Sequence, residues 1–128
     1  MPYSKVSIKH VNNEHNDWLR ALSFYKDELA VLKNRLTEVA SRNNGKEVEI
    51  LVSHYENQIK LQTINIDTLR HNINDVLNQM ASQAQDSAGY MDEKLLTEHN
   101  KLREKYIVEE TVVNALRHEF NTFAAKWM

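Results

Sequence analysis

Cysteine is absent from the 128 residues, and glycine and proline are nearly so, at two and one. Without thiols there is no disulfide framework, thiolate zinc site or thiol nucleophile. Two glycines cannot supply the positive-φ turns of a β-sandwich, nor the close backbone approach of a glycine-fingerprint nucleotide fold. Long apolar runs are missing too. The longest aliphatic stretches are trios such as Ile50-Leu51-Val52, and the opening Met1-Pro2-Tyr3-Ser4-Lys5-Val6-Ser7 has no apolar core. No membrane span or secretory leader is therefore expected, and the expected location is the cytoplasm. Nor does one sign of charge dominate: the net charge of −2 divides as about +2, −3 and −1 before, between and after the glycines. The densest basic spot, Lys101-Leu102-Arg103-Glu104-Lys105, is interrupted by an acid. Neither nucleic acid nor a membrane is an expected partner, since both require a concentrated basic face.

What is present is a rhythm. From Ile8, apolar residues fall at alternating steps of three and four: Val11, Trp18, Leu22, Tyr25, Leu29, Leu32, Leu36 and Val39, with only His15 interrupting. The rhythm resumes in Val48, Val52, Tyr55, Ile59, Ile66, Leu69, Ile73, Val76 and Met80, with Gln62 as its polar member. It returns in Leu95, Leu102, Tyr106, Val113, Leu116, Phe120, Phe123 and Trp127, broken by His99 and Glu109. Heptad seams of this length predict three long helices, at about 8–43, 46–84 and 92–127, each burying one stripe against the others. The interruptions agree. Asn43-Asn44-Gly45 reads as a left-handed cap, and Asp86, Ser87 and Gly89 are turn formers. Short connections between long helices give an all-α, antiparallel up-down-up bundle, one domain over residues 1–128, completed by oligomerisation. Either Ser7 or Asn13 could cap the first helix. Fourteen asparagines, among them Asn57, Asn65, Asn72, Asn74, Asn78 and Asn114, are poor helix formers, so packing rather than propensity must hold these helices.

The seam histidines are the first candidates for chemistry. Counting levels along antiparallel helices places His15 and His99 face to face near the second connection, with Asn74, Asp75 and Asn78 at the same level. A buried polar layer that fixes register explains them most simply. A divalent transition-metal site using His15, His99 and Asp75 is the sharper alternative, and a pH-sensitive layer a third. The Glu-x-x-His pairs of di-iron bundles are missing, because no histidine has an acid three residues before it. Asp67, His71 and Asp75 form an i, i+4, i+8 strip away from the seam, which reads as a solvated face. Glu109 and Gln62 lie inside apolar seams, and Arg20 or Arg70 is the expected ion partner of Glu109. No nucleophile triad, phosphate loop or metalloprotease motif occurs, so no catalytic residue and no cofactor is assigned.

Apolar residues also recur outside the seams. Ile50, Leu61 and Ile64 lie on the outer side of the second helix, and Phe24 and Val31, with Ala21, form another line on the first. Repetition at helical spacing points to an interface, with either a second copy as homodimer or a partner protein's helix. The expected function is a non-enzymatic interaction or scaffold module, with metal binding at His15 and His99 as its alternative.

Overall fold

The computed structural model describes residues 3–83 and 88–128. Three helices, α1 (Ile8–Arg42), α2 (Lys46–Gln83) and α3 (Glu93–Trp127), pack against one another as an all-α bundle in up-down-up order. The seam rhythm sets what is buried. Val11, Leu22, Leu29, Val39, Ile66, Ile73, Val113 and Phe120 are each fully inaccessible. Removing each such side chain from water contributes roughly 1.5–3 kcal/mol, which offsets the poor helix propensity of the asparagines. The polar seam members are buried as well: His15, Gln62, His99 and Glu109.

The ends of the helices have identifiable causes. Ser7 Oγ accepts from the backbone N–H of His10 at 3.1 Å, so α1 starts at the earlier of the two possible caps. Asp92 Oδ1 accepts from Lys94 N–H at 2.7 Å and caps α3 in the same way. The first connection differs from expectation. Gly45 does not take the left-handed conformation; its carbonyl accepts from Glu49 N–H at 3.1 Å and begins α2. The end of α1 is closed instead by the Asn43 side chain, which donates to the carbonyls of Val39 and Trp127, both at 2.9 Å. The left-handed residues among those described are Ala88 and Gly89, with φ of 52° and 87°. Asp86 and Ser87, read as turn formers, and the expected last residue of helix 2, Ala84, lie outside the described residues.

A two-stranded antiparallel ribbon was not expected. β1 (Tyr3–Ser7) pairs with β2 (Tyr90–Asp92), with Tyr3 opposite Asp92 and Ser7 opposite Tyr90. The unequal spacing marks a bulge in β1, and the Ile8 N–H donates to the Gly89 carbonyl at 2.8 Å where the ribbon enters α1.

The chain divides into two compact units. Met1–Leu22 with Asp67–Val108 forms one, which contains the ribbon; Ser23–Ile66 with Glu109–Met128 forms the other. In the second unit Tyr55, Phe120 and Phe123 make a mutual cluster, with Tyr55 edge-on to Phe120 at 5.5 Å and 4.8 Å from Phe123. The Tyr55 hydroxyl donates to the Glu119 carbonyl at 3.3 Å, so this aromatic group is both apolar filler and polar tie.

Candidate functional site

The ribbon-bearing unit holds the most specific polar arrangement. His15 of α1 and His99 of α3 meet, Nε2 to Nδ1, at 2.6 Å, and both side chains are buried. His99 Nε2 lies 3.0 Å from Glu14 Oε1. Arg103, one turn beyond His99, grips the same carboxylate with two nitrogens, at 2.7 and 3.2 Å. Trp18 stacks on His99 at 5.0 Å and 13°, and on Tyr106 at 5.5 Å and 18°. The aromatic walls exclude water, while Glu14 and Arg103 close the layer toward solvent.

The partners fix the protons. A carboxylate only accepts, so His99 carries its proton on Nε2 and donates to Glu14. His99 Nδ1 is then an acceptor, and His15 Nε2–H donates to it. Arg103 Nη2, 3.2 Å from the same His99 nitrogen, has its better acceptor in Glu14. The reverse tautomers would set a lone pair of His99 against the carboxylate and leave His15 Nδ1–H buried without an acceptor. In the favoured chain His15 Nδ1 is a bare lone pair with no partner, which is less costly than an orphaned donor.

This chain is built for neutral imidazoles. Burial, and then the neighbouring His99, depress His15 to about 4. Burial also lowers His99, although the hydrogen bond to Glu14 pulls the other way. For Glu14, burial works upward, but the hydrogen bonds from Arg103 and His99 outweigh it and hold the carboxyl below its ordinary value. The layer is therefore an ionised acid neutralised by an arginine, followed by two uncharged rings.

Asp75 is not in this layer. It is exposed, with Oδ2 3.3 Å from His71 Nε2, and lines a polar surface groove with Lys94, Glu98 and Lys101. The acid at the histidines is Glu14, and it sits on the ring nitrogen of His99 facing away from His15. Two imidazoles on one zinc stand ~3.3 Å apart in tetrahedral geometry, so an ion between His15 and His99 would have to part them and would find only those two nitrogens. Among the described residues no group of three or more His, Asp and Glu side chains is placed to hold a metal.

A second polar layer lies in the other unit. Gln62 and Glu109 are both buried, and with its amide nitrogen turned to the acid Gln62 donates to the two carboxylate oxygens at 2.8 and 3.1 Å. Neither expected arginine is its partner. Arg20 is bonded to Asp17 one turn away, and Arg70 lies 3.9 Å from Asp67. Burial pushes Glu109 up to about 7, while the Gln62 donation draws it back toward ionisation.

The outer faces are accessible: Phe24, Val31, Ile50, Leu61 and Ile64 are 51, 50, 70, 48 and 52% exposed. They do not form one surface. Phe24 lies 5.7 Å under the Arg117 guanidinium from α3, which is paired with Glu28 at 3.3 Å. Ile64 instead borders a groove of about 550 Å³ between α1 and α2 in the same unit. Leu29, Ala30, Ile59 and Thr63 complete its apolar floor, and its charged lining is Lys26, Lys33 and Lys60 against Glu56.

Sequence reasoning brought His15 and His99 together but missed Glu14 and Arg103. The signal for Arg103 was its i+4 spacing from His99; Glu14, adjacent to His15, carried none until the helix rotation was known. The lysine lining was missed because its members sit on two helices, each unremarkable alone. Among the described residues no helix is long and apolar enough to cross a membrane. The chain matches no protein-family model, no curated protein and no solved structure.

Proposed function

We propose that the protein is a non-enzymatic helical interaction module, which self-associates or takes a partner helix on the outer side of α1 and α2. The observation that carries this is the groove of the Ser23–Ile66 unit, where exposed Ile64 adjoins a floor of Leu29, Ala30 and Ile59. Apolar grooves between neighbouring helices are what an amphipathic helix fills, with anchors at i, i+3 or i+4, and i+7. The buried chemistry supports the same reading. His15 and His99 are 0 and 1% exposed, which closes them to a substrate. Glu109 faces an amide rather than a nucleophile or base. Both layers serve as register locks that set how the three helices face one another.

Sedimentation velocity across the micromolar range tests the module directly. Self-association that weakens in Ile64→Glu, or binding of a helical ligand that the same change abolishes, supports it; a monomer with no helical ligand removes it. Metal binding at His15 and His99 is the second reading, motivated by the meeting of the two rings at 2.6 Å. Stoichiometric zinc, nickel or iron in the purified protein, lost in His99→Gln, would establish it.

A further inference from the structure

We infer that the groove between α1 and α2 receives an acidic amphipathic helix from a partner protein, rather than a second copy of this chain. The inference rests on the interaction-module reading and adds the chemistry of the partner. Its ground is the arrangement of charge around an apolar floor: Lys26 and Lys33 from α1 and Lys60 from α2, against one acid, Glu56. Lys26 and Lys33 are seven residues apart, two turns on one face, and Lys60 comes from the facing helix. The cations thus approach from both walls and leave Leu29, Ala30, Ile59 and Ile64 between them. Ala30, the smallest lining residue, lets an incoming backbone approach closely. A groove bounded by residues 26–33 on one side and 56–64 on the other is ~10–12 Å long, the span of two helical turns. An occupant needs apolar anchors over those two turns and carboxylates on both flanks, so that each lysine meets an acid at the rim.

The same charges argue against a two-fold dimer through this face. A two-fold contact sets each patch against itself, so it would oppose three lysines with three lysines and offer only Glu56 from each copy. An acidic helix removes that repulsion and adds attraction that is steep in salt, because the pairs lie at an exposed rim.

The test uses the full chain and fluorescein-labelled helical peptides of ~20 residues, read by anisotropy. One peptide carries leucine at i, i+4, i+7 and i+11 with glutamate on both flanks. A twin replaces every glutamate with lysine, and an unstructured polyglutamate of equal charge serves as control. The expected result is binding of the acidic helix at least ~10-fold tighter than either of the others, weakening as salt rises from ~50 to ~500 mM. The double variant Lys33→Glu/Lys60→Glu should invert the preference toward the lysine twin, and amide shifts on binding should centre on Ala30 and Ile64. Equal affinity for the two helices, polyglutamate binding as tightly, or a preference unmoved in the double variant overturns the inference. If neither peptide binds while the chain self-associates and Ile64→Glu disrupts it, the acidic partner falls and the interaction module stands. If there is neither peptide binding nor self-association, both fall.

Discussion

The two buried layers should respond to pH in opposite directions, and the difference is measurable. Protonation of His15 is opposed in the fold, where its pKa is about 4 against an ordinary 6.5. Between those values the unfolded chain binds a proton that the folded chain does not, so stability rises with pH and is lost on acidification. At about 1.4 kcal/mol per pH unit, that window amounts to about 3 kcal/mol. Glu109 has the reverse sign. Its folded value of about 7 stands above the ordinary 4.5, so the fold retains a proton that the unfolded chain releases, and stability falls as pH rises between the two. The ceiling is again about 3 kcal/mol, reduced by whatever the Gln62 donation restores to the ionised form. Over about pH 4.5–6.5 the two slopes largely cancel, and the remaining acid sensitivity comes from carboxylates such as Glu14.

Two substitutions separate the slopes. Glu109→Gln should leave the His15 slope uncompensated and make the variant lose stability on acidification more steeply than the parent. His15→Gln, which keeps a donor toward His99, should do the opposite and favour mildly acid conditions relative to the parent. Urea unfolding followed by circular dichroism at several pH values supplies the numbers, and parent-minus-variant curves remove titrations common to both. If the two compact units unfold in separate transitions, the His15 slope belongs to the unit containing the ribbon and the Glu109 slope to the other. Difference curves that are flat within about 0.5 kcal/mol, or that share one sign, would refute the reasoning.

Nitrogen-15 spectra of the histidine rings at neutral pH should show both His15 and His99 protonated at Nε2, with Nδ1 of each unprotonated; an Nδ1–H on His99 would reverse the proton chain. Arg103→Ala should cost about 1–3 kcal/mol in chemical unfolding and raise the pKa of Glu14, because the carboxylate loses its two guanidinium bonds while staying against His99. Phe120→Ala, in the aromatic cluster with Tyr55 and Phe123, should cost about 3–5 kcal/mol, and a value under about 1 kcal/mol would mean that the cluster is not tightly packed. Asp92→Ala should cost about 1 kcal/mol by uncapping α3, with the loss of amide protection concentrated in its first turn.

How far the sequence speaks is best seen residue by residue. Every seam position from Ile8 to Val39 is buried, including His15, because inward facing depends only on the 3.6-residue period of a single helix. Val52, Tyr106 and Trp127 are the seam members left partly exposed. The start of α1 needed the structure to choose Ser7 over Asn13, although both caps were visible. The ribbon was illegible. Its strands are five and three residues long, show no sustained apolar alternation, and pair residues more than eighty positions apart. Gly45 was misread for a different reason: a glycine after two asparagines signals a break, and the sequence does not say whether the left-handed residue ends one helix or whether a side chain does so.

The sequence by itself determined the all-α class, the three helices, the burial of four polar seam residues and the likeness of level between His15 and His99. These follow from spacing along one chain and from counting turns. Only the tertiary structure decided what each polar residue faces. Glu14 and Arg103 close the histidine layer in place of Asp75, Gln62 rather than an arginine answers Glu109, and lysines from two helices gather around one apolar floor. Those outcomes depend on the rotation and register of one helix against another, and a shift of a single residue, about 100° around an axis, would have chosen different partners from the same seams.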